Sequence, residues 1–204
     1  MDDARVLVKK AQNNDLDAFE ELVRIYENKV YALCVHLAGS HADAQDLAQE
    51  TFIRAYRSLG SFRREADFGT WLHRIAVNMW LNLRRKNSAR QALYYLDEPY
   101  QSGDGSEVSR EIAGDSGDPL QMLEEKEYRG LVRAALGDLS EEHRAVLVLR
   151  EIEGYSYEEV SRMLGCSLGT VKSRLSRARG AMRRRMTDLA REAGEAPPAG
   201  RESR

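Results

Sequence analysis

The stretch SYEEVSRMLGCSLGTVKSRLSRAR, residues 156–179, contains two helical patterns separated by a single glycine, Gly165. Ser156 and Glu159 have the spacing of a capping box, in which each side chain bonds the main-chain N–H of the other residue. They therefore predict the start of a short helix, and Ser167 predicts the start of a second one. Two capped helices joined by a tight turn are typical of a helix-turn-helix.

The second helix has a narrow apolar face and a strongly basic one. Its predicted inward stripe, at spacings of three and four residues, is Val171, Leu175, Ala178 and Met182. Seven Lys or Arg lie between residues 166 and 185, although the formal net charge of the chain is -2. A major groove admits one such helix, with base edges near its N-terminal half and phosphates beside flanking cations. We expect DNA binding here; the alternative is a solvated basic face.

The N-terminal half reads as three longer helices that together predict a bundle over residues 1 to about 90. Asp15 predicts the start of the first and Gly39 its end, and the second runs from Ser40 to Gly60. On the third, which begins at Phe68, the helical wheel predicts the following inward face: Phe68, Leu72, Ile75, Ala76, Met79 and Leu83. The same wheel places four other side chains outward, namely His73, Val77, Trp80 and Arg84.

Between the two halves lies an acidic segment. Residues 97–127 contain ten Asp or Glu and two Lys or Arg, a net charge of -8 that leaves the rest of the chain at +6. Residues 97–118 are rich in Gly, Ser and acids and predict a flexible linker. The expected fold is all-α, with two small helical domains at residues 1–93 and 120–189. A linker at residues 94–119 is expected to join them, and residues 190–204 are expected to form a disordered tail.

The composition argues against several other classes of protein. No apolar run approaches the roughly 18 residues that span a bilayer, so we expect a cytoplasmic protein without membrane insertion. Cys34 and Cys166 lie far apart with no CxxC pattern, and neither a disulfide nor a metal site is expected. There is no phosphate-binding glycine loop and no nucleophile constellation, so we expect neither catalytic residues nor a cofactor.

Longer segments of the sequence resemble one known family. RAVLVLREIEGYSYEEVSRMLGCSLGTVKSRLSRARGAM, residues 144–182, resembles region 4 of bacterial sigma factors of the extracytoplasmic-function (ECF) type. DAQDLAQETFIRAYRSLGSF, residues 43–62, and FGTWLHRIAVNMWLN, residues 68–82, are similar to region 2 of the same family. The resemblance implies a dissociable subunit of RNA polymerase that recognises promoters through a minus 10 and a minus 35 element.

The resemblance also implies which residues carry these tasks. A coiled coil of the largest polymerase subunit would receive Asp46, Gln49, Glu50, Phe52, Ile53 and Tyr56. The minus 10 element would be melted and read by Phe62, Arg63, Glu65, Phe68, Arg74 and Asn78. The minus 35 element would be read by Thr170, Lys172, Ser173, Arg174, Ser176, Arg177 and Arg179. The implied partners are core RNA polymerase, at this coiled coil and at the flap, promoter DNA and an anti-sigma factor.

Two alternatives stay open at this level. Phe52 and Tyr56 fit a helix core as well as a docking surface, with the neighbouring acids solvated, and Phe68 fits the core stripe of its own helix. The chain as a whole also fits a free-standing helix-turn-helix regulator, which would dimerise through its N-terminal bundle and recognise two-fold half-sites.

Overall fold

The computed structural model describes residues 2–63, 66–94 and 119–192. Within these ranges the regular structure is helical and contains no strand, as the sequence predicts. The α-helices in chain order are α1 (Asp2–Gln12), α2 (Leu16–Ala38), α3 (His41–Ser58), α4 (Phe68–Tyr94), α5 (Pro119–Gly137), α6 (Glu141–Leu147), α7 (Tyr157–Leu164) and α8 (Leu168–Glu192).

Cα proximity divides the chain into two units. One, the N-terminal unit, comprises residues 1–107 with 161–165, and the other, the C-terminal unit, comprises residues 108–160 with 166–204. The N-terminal unit contains α1 to α4, and the C-terminal unit contains α5, α6, α8 and the first turn of α7. The predicted all-α fold with two helical domains is confirmed.

The predicted caps of the N-terminal unit are present. The Asp15 carboxylate accepts a hydrogen bond from the Ala18 N–H at 3.0 Å, and the Ser40 hydroxyl accepts one from the Asp43 N–H at 3.1 Å. Gly39 ends α2 with a φ of 86°, a left-handed conformation that glycine adopts without steric cost. Helices α2 and α3 therefore begin where the sequence indicates, and α2 also ends there. Helix α3 ends at Ser58, two residues before the predicted Gly60, and a 3₁₀ turn, Leu59–Ser61, follows it.

Helix α1 is not indicated by the sequence pattern as a separate element, yet it closes one side of the bundle. Its Val8 and Ala11 are buried. The Gln12 amide donates hydrogen bonds to the carbonyl oxygens of Leu59 at 3.0 Å and Phe62 at 2.9 Å. These bonds tie the end of α1 to the 3₁₀ turn that follows α3.

Helix α4 differs from its prediction. The wheel places His73, Val77 and Trp80 outward, but all three are buried, and Trp80 is only 1% exposed. Leu83, predicted inward, is 52% exposed. Helix α4 contacts α1, α2 and α3, so it buries a wider arc than the single stripe of a helix with one neighbour. Arg84, also predicted outward, is half-buried and donates to the Ala38 carbonyl oxygen at 3.2 Å.

The C-terminal unit is built around α6 and the π-helical turn Val148–Ile152 that continues it. Residues 145–149 are all buried, as are Leu136 of α5 and Leu175 of α8. Arg144 is buried as well, and its guanidinium donates to the Gly137 carbonyl oxygen at the end of α5. Ser140 precedes α6, where its main-chain oxygen accepts the Arg144 N–H and its side chain forms no capping bond.

Two sequence predictions concern the segments outside these helices. Of the linker predicted at 94–119, the two end residues belong to helices, Tyr94 to α4 and Pro119 to α5, and residues 95–118 lie outside the described residues. The tail is predicted to begin at residue 190, but α8 continues to Glu192; residues 193–204 lie outside the described residues. None of the helices in the described ranges combines the length and hydropathy that a membrane span needs.

Candidate functional site

The predicted helix-turn-helix is present in residues 156–179. The Ser156 N–H donates to the Glu159 carboxylate at 2.8 Å and the Glu159 N–H to the Ser156 hydroxyl at 3.2 Å, which confirms the capping box. Gly165, with a φ of 63°, makes the turn after α7. The Ser167 hydroxyl then accepts the Thr170 N–H at 3.1 Å and starts α8.

Helix α8 buries one face and presents the other to solvent. Val171, Leu175 and Ala178 are buried as predicted, whereas Met182 is only half-buried. Five of the predicted DNA-binding side chains are exposed, namely Lys172, Ser173, Ser176, Arg177 and Arg179. Thr170 is half-buried beside Ser167, and the two hydroxyl oxygens lie 2.8 Å apart. The exposed face therefore combines cations with small hydroxyls, as major-groove recognition requires.

Three of the seven cations between residues 166 and 185 are paired with carboxylates of the C-terminal unit. Arg174 contacts Glu142 at 2.7 Å and Arg179 contacts Glu151 at 2.6 Å, while Arg185 pairs with Asp138 and Glu192. The hydrogen bonds that the Arg179 guanidinium donates to Glu151 raise the pKa of Arg179. Sequence spacing does not indicate the pairs that join separate elements. Arg179 and Glu151 are 28 residues apart in the chain, and Arg185 and Asp138 are 47 residues apart.

The other four cations, Lys172, Arg177, Arg183 and Arg184, form no ion pair within the part of the chain that the structure describes. Two of them line a groove of about 310 Å³ along α8. Its walls are Tyr157, Lys172, Leu175, Ser176, Arg179, Gly180 and Arg183. The groove therefore joins cations to a hydroxyl and an aromatic ring, and none of the described residues that line it is a carboxylate.

A second surface lies on α3. Asp46, Gln49 and Glu50 are exposed, and Phe52 is half-buried. Ile53 is 37% exposed and Tyr56 is 45% exposed, so neither side chain belongs to the buried core. The Tyr56 ring packs edge-on against Phe19 of α2, with ring centroids 5.0 Å apart. These side chains of α3, called the α3 row below, thus combine apolar anchors with a polar rim, as protein interfaces commonly do. The row consists of Asp46, Gln49, Glu50, Phe52, Ile53 and Tyr56.

An aromatic cluster lies at the start of α4. Phe62 and Phe68 are buried, and their ring centroids lie 4.9 Å and 5.5 Å from that of Trp71. Arg63 and Arg74 are exposed, Asn78 is half-buried, and Glu65 lies outside the described residues. Phe62 and Phe68 are thus buried against each other and Trp71, and contact between either ring and a base stays a prediction.

Two buried titratable groups of the N-terminal unit have strongly shifted pKa values. Burial lowers the pKa of His73 to about 4, with Lys29 acting in the same direction, and burial raises the pKa of Cys34 to about 12. Within the described ranges no group of three or more His, Cys, Asp or Glu side chains is placed to hold a metal ion.

Comparison with known proteins agrees with this arrangement. Residues 22–90 match the family Sigma-70 region 2 and residues 129–182 match Sigma-70, region 4. The chain is 35% identical over 182 residues to the ECF RNA polymerase sigma factor SigW of Bacillus subtilis, covering 89% of this chain and 96% of SigW. It is 37% identical over 191 residues to the ECF RNA polymerase sigma-E factor of Escherichia coli, covering 92% of this chain and 96% of sigma-E.

Solved structures show the same fold. The sigma factor RpoE from Bartonella quintana, crystallised in complex with the anti-sigma factor NepR, aligns with a TM-score of 0.62 and 27% identity over 83% of this chain and 96% of RpoE. CnrH, in complex with the cytosolic domain of CnrY, aligns with a TM-score of 0.58 and 24% identity over 94% of this chain and 98% of CnrH.

A region 2 followed by a region 4 defines a transcription factor of the sigma-70 class. This chain belongs to the ECF RNA polymerase sigma factors. Sigma factors regulate transcription and are not themselves catalysts. Because the similarity runs through both regions, the free-standing dimeric regulator is not favoured.

Proposed function

We propose that this chain binds core RNA polymerase and directs initiation at promoters whose minus 10 and minus 35 elements it recognises. The observation that carries the proposal is the coexistence of two surfaces with different chemistry. One is the row of acids and apolar anchors on α3, and the other is the basic, hydroxyl-bearing face of α8. The first suits a protein partner and the second suits duplex DNA.

The α3 row docks on the coiled coil of the largest polymerase subunit. Ile53 and Tyr56 supply the apolar contacts, and the edge-on contact with Phe19 limits the orientations that the Tyr56 ring adopts before binding. Asp46, Gln49 and Glu50 surround them with groups that pair with basic side chains of the partner. The C-terminal unit contacts the flap of the polymerase.

The minus 10 element is melted and read by the loop before α4 and the helix that follows it. Opening a duplex requires capture of an extruded base by apolar walls and polar groups. Arg63 and Arg74 are exposed for backbone contacts, and Asn78 is partly accessible to a base edge. Phe62, Phe68 and Glu65 complete the proposed site, and the two buried rings would have to become accessible before either contacts a base.

The minus 35 element is read by α8 in the major groove. Lys172, Ser173, Ser176 and Arg177 are exposed on one surface, with Thr170 at its start. Among them Arg177 is the group best suited to a guanine edge, because its guanidinium forms no ion pair within the described residues. Arg174 and Arg179 contact DNA only when they share or leave their carboxylate partners.

An anti-sigma factor completes the proposed set of partners. The Bartonella quintana relative has been crystallised with one, and at 27% identity the likeness supports the same class of partner for this chain. The proposed place of action is the cytoplasm, where RNA polymerase works.

Transcription in vitro tests the proposal. Purified chain is added to core polymerase from the same organism on fragmented genomic DNA, and the 5′ ends of the transcripts are sequenced. The expected result is a set of start sites that share two upstream motifs and that core polymerase alone does not use. Start sites indistinguishable from those of core polymerase alone would overturn the proposed function.

A further inference from the structure

The groove along α8 has the chemistry of a phosphodiester site. Lys172, Ser176, Arg179 and Arg183 follow one another at spacings of four, three and four residues, so they share one face of the helix. Lys172 and Arg183, near the two ends of this row, form no ion pair within the described residues. Between them, Arg179 is held by Glu151.

The contact between Glu151 and Arg179 occupies two donors of the guanidinium. One carboxylate oxygen of Glu151 accepts from Nε at 3.1 Å and from Nη2 at 2.6 Å. These are the same kinds of charge-assisted bonds that a phosphate oxygen would accept. A DNA strand that enters the groove therefore meets Lys172 and Arg183 without a carboxylate partner among the described residues. Arg179, by contrast, is already paired with the Glu151 carboxylate.

The π-helical turn Val148–Ile152 holds Glu151 in this place. Neighbouring Arg150 donates to the Tyr155 carbonyl oxygen at 2.7 Å, and its guanidinium lies 4.8 Å from the centre of the Tyr157 ring. The turn thus fixes Glu151 and, at the edge of the groove, Tyr157 together. Short π-helical turns are rare and occur often at functional sites.

The same pair contributes little to the stability of the fold. The Arg179 and Glu151 side chains are 51% and 41% exposed, and ion pairs between such exposed groups are worth little because water screens them. Arg174, by comparison, is 26% exposed in its pair with Glu142. The Glu151 carboxylate is therefore positioned to affect what Arg179 binds more than whether the unit folds.

We propose that Glu151 limits the sequence-independent affinity of α8 for DNA by competing with a backbone phosphodiester for Arg179. The inference rests on the proposed function and deepens it. Phosphate contacts add affinity without sequence information, whereas base contacts specify the site. A carboxylate that weakens one phosphate contact lowers binding to all DNA and leaves the role of Arg177 in sequence discrimination intact.

The test uses the full chain and a short, fluorescently labelled duplex of mixed sequence, with affinity measured across about 50 to 200 mM salt. Glu151→Gln is expected to tighten binding about three- to tenfold and to steepen the plot of log affinity against log salt by about 0.9, the value for one added phosphate contact. Glu151→Asp keeps the charge but shortens the side chain, so it should tighten binding by a smaller factor.

Glu158→Gln is the matched control. Glu158 is exposed and adjacent to Tyr157 in the chain, and it forms no ion pair within the described part of the structure. Its neutralisation changes the net charge equally but frees no arginine, so the salt slope should stay at the wild-type value. Arg179→Gln combined with Glu151→Gln should abolish the gain seen with Glu151→Gln alone.

Three results would overturn the inference: an unchanged salt slope for Glu151→Gln, an equal gain for Glu158→Gln, or a gain that persists in the double variant. Circular dichroism melting checks that each variant is folded, and Glu151→Asp carries the test if Glu151→Gln is not. The initiation assay is run in parallel. If the wild type initiates at specific promoters while these results appear, only the role of Glu151 fails; if it does not initiate, the proposed function fails.

Discussion

Gly69, in the first turn of α4, is a residue at which one added methyl group has a structural cost. Its N–H donates to the Asp67 carboxylate at 2.9 Å, and an added Cβ would lie 2.9 Å from Cε1 of Tyr26. The Tyr26 ring is buried and packs edge-on against Phe68, so it has little room to move. Gly69→Ala is therefore expected to lower the free energy of unfolding by about 1 to 3 kcal/mol, the usual cost of overpacking.

Gly60 provides the control for this substitution, because an added Cβ there meets no atom within 4 Å. Urea unfolding followed by tryptophan fluorescence measures both variants, since the two tryptophans, Trp71 and Trp80, both lie in the N-terminal unit. Equal losses for Gly69→Ala and Gly60→Ala would show that the contact with Tyr26 is not the cause.

His73 makes the N-terminal unit sensitive to acid. Burial, with Lys29 in addition, lowers its pKa to about 4, below the ordinary value of 6.5. Between these two values the unfolded chain binds a proton at this site that the folded chain does not, so stability falls as the pH falls through this window. The full effect corresponds to about 3 kcal/mol.

Urea unfolding at about pH 7.5 and about pH 4.5, monitored by tryptophan fluorescence, measures this dependence. His73→Asn removes the titrating group, and although it lowers stability at both values it should reduce the difference between them. A variant that loses as much stability on acidification as the wild type would show that other groups cause the effect.

At the scale of elements, the sequence predicts helix ends better than buried faces. The bonds made by Asp15, Ser40 and the pair Ser156 and Glu159 are local, so a few consecutive residues determine them. The buried face of α4 is not local, since α1, α2 and α3 all contact this helix. A wheel that assumes one apolar stripe therefore places Trp80 outward and Leu83 inward, contrary to the structure.

Helix α3 should bind polymerase through its exposed row. Reversal of charge by Asp46→Arg and Glu50→Arg together is expected to weaken the affinity for core polymerase at least about tenfold, because close charge pairs at interfaces couple by more than about 1.5 kcal/mol. Both side chains are exposed, so the unit should stay folded. Fluorescence anisotropy with labelled chain measures the affinity.

Glu27→Arg, on the exposed side of α2, is the control for a general effect of charge. Wild-type affinity in the α3 double variant, or an equal loss with Glu27→Arg, would count against the α3 surface.

Helix α8 should separate specificity from affinity. Arg177→Ala is expected to cost about 1 to 3 kcal/mol at the preferred minus 35 sequence and to relax the preference there. Arg183→Ala, in the groove, should weaken binding to all sequences alike, because phosphates carry no sequence information. Initiation on a library of minus 35 sequences measures both, and an unchanged preference with Arg177→Ala would contradict the assignment of this helix.

At the scale of the molecule, the segregation of charge along the sequence is enough to indicate the two-part organisation. The acidic stretch at 97–127 separates two halves that are net basic, and the units found by Cα proximity follow the same division apart from residues 161–165. Charge composition does not reveal the pairs within a unit, such as Arg179 with Glu151. This pair depends on how the π-helical turn Val148–Ile152 lies beside α8, which no single helical pattern contains.

The N-terminal unit has its own buried core, with α1 to α4 contacting one another. Leu22, Leu33 and Leu72 are fully buried within it. A chain that ends after Tyr94 is therefore expected to fold and to compete with the full chain for core polymerase, within about threefold of the full-length affinity if α3 supplies the main contacts. It should not direct initiation at a minus 35-dependent promoter, since it lacks α8.

Competition against labelled full chain measures polymerase binding by the fragment, and tryptophan fluorescence measures its folding. The fragment with Asp46→Arg and Glu50→Arg is the control, and it should fold but not compete. A folded fragment that fails to compete would place the polymerase contacts outside α1 to α4. That result would contradict the proposed role of the α3 row, because the folded fragment contains Ile53 and Tyr56 and should expose both side chains.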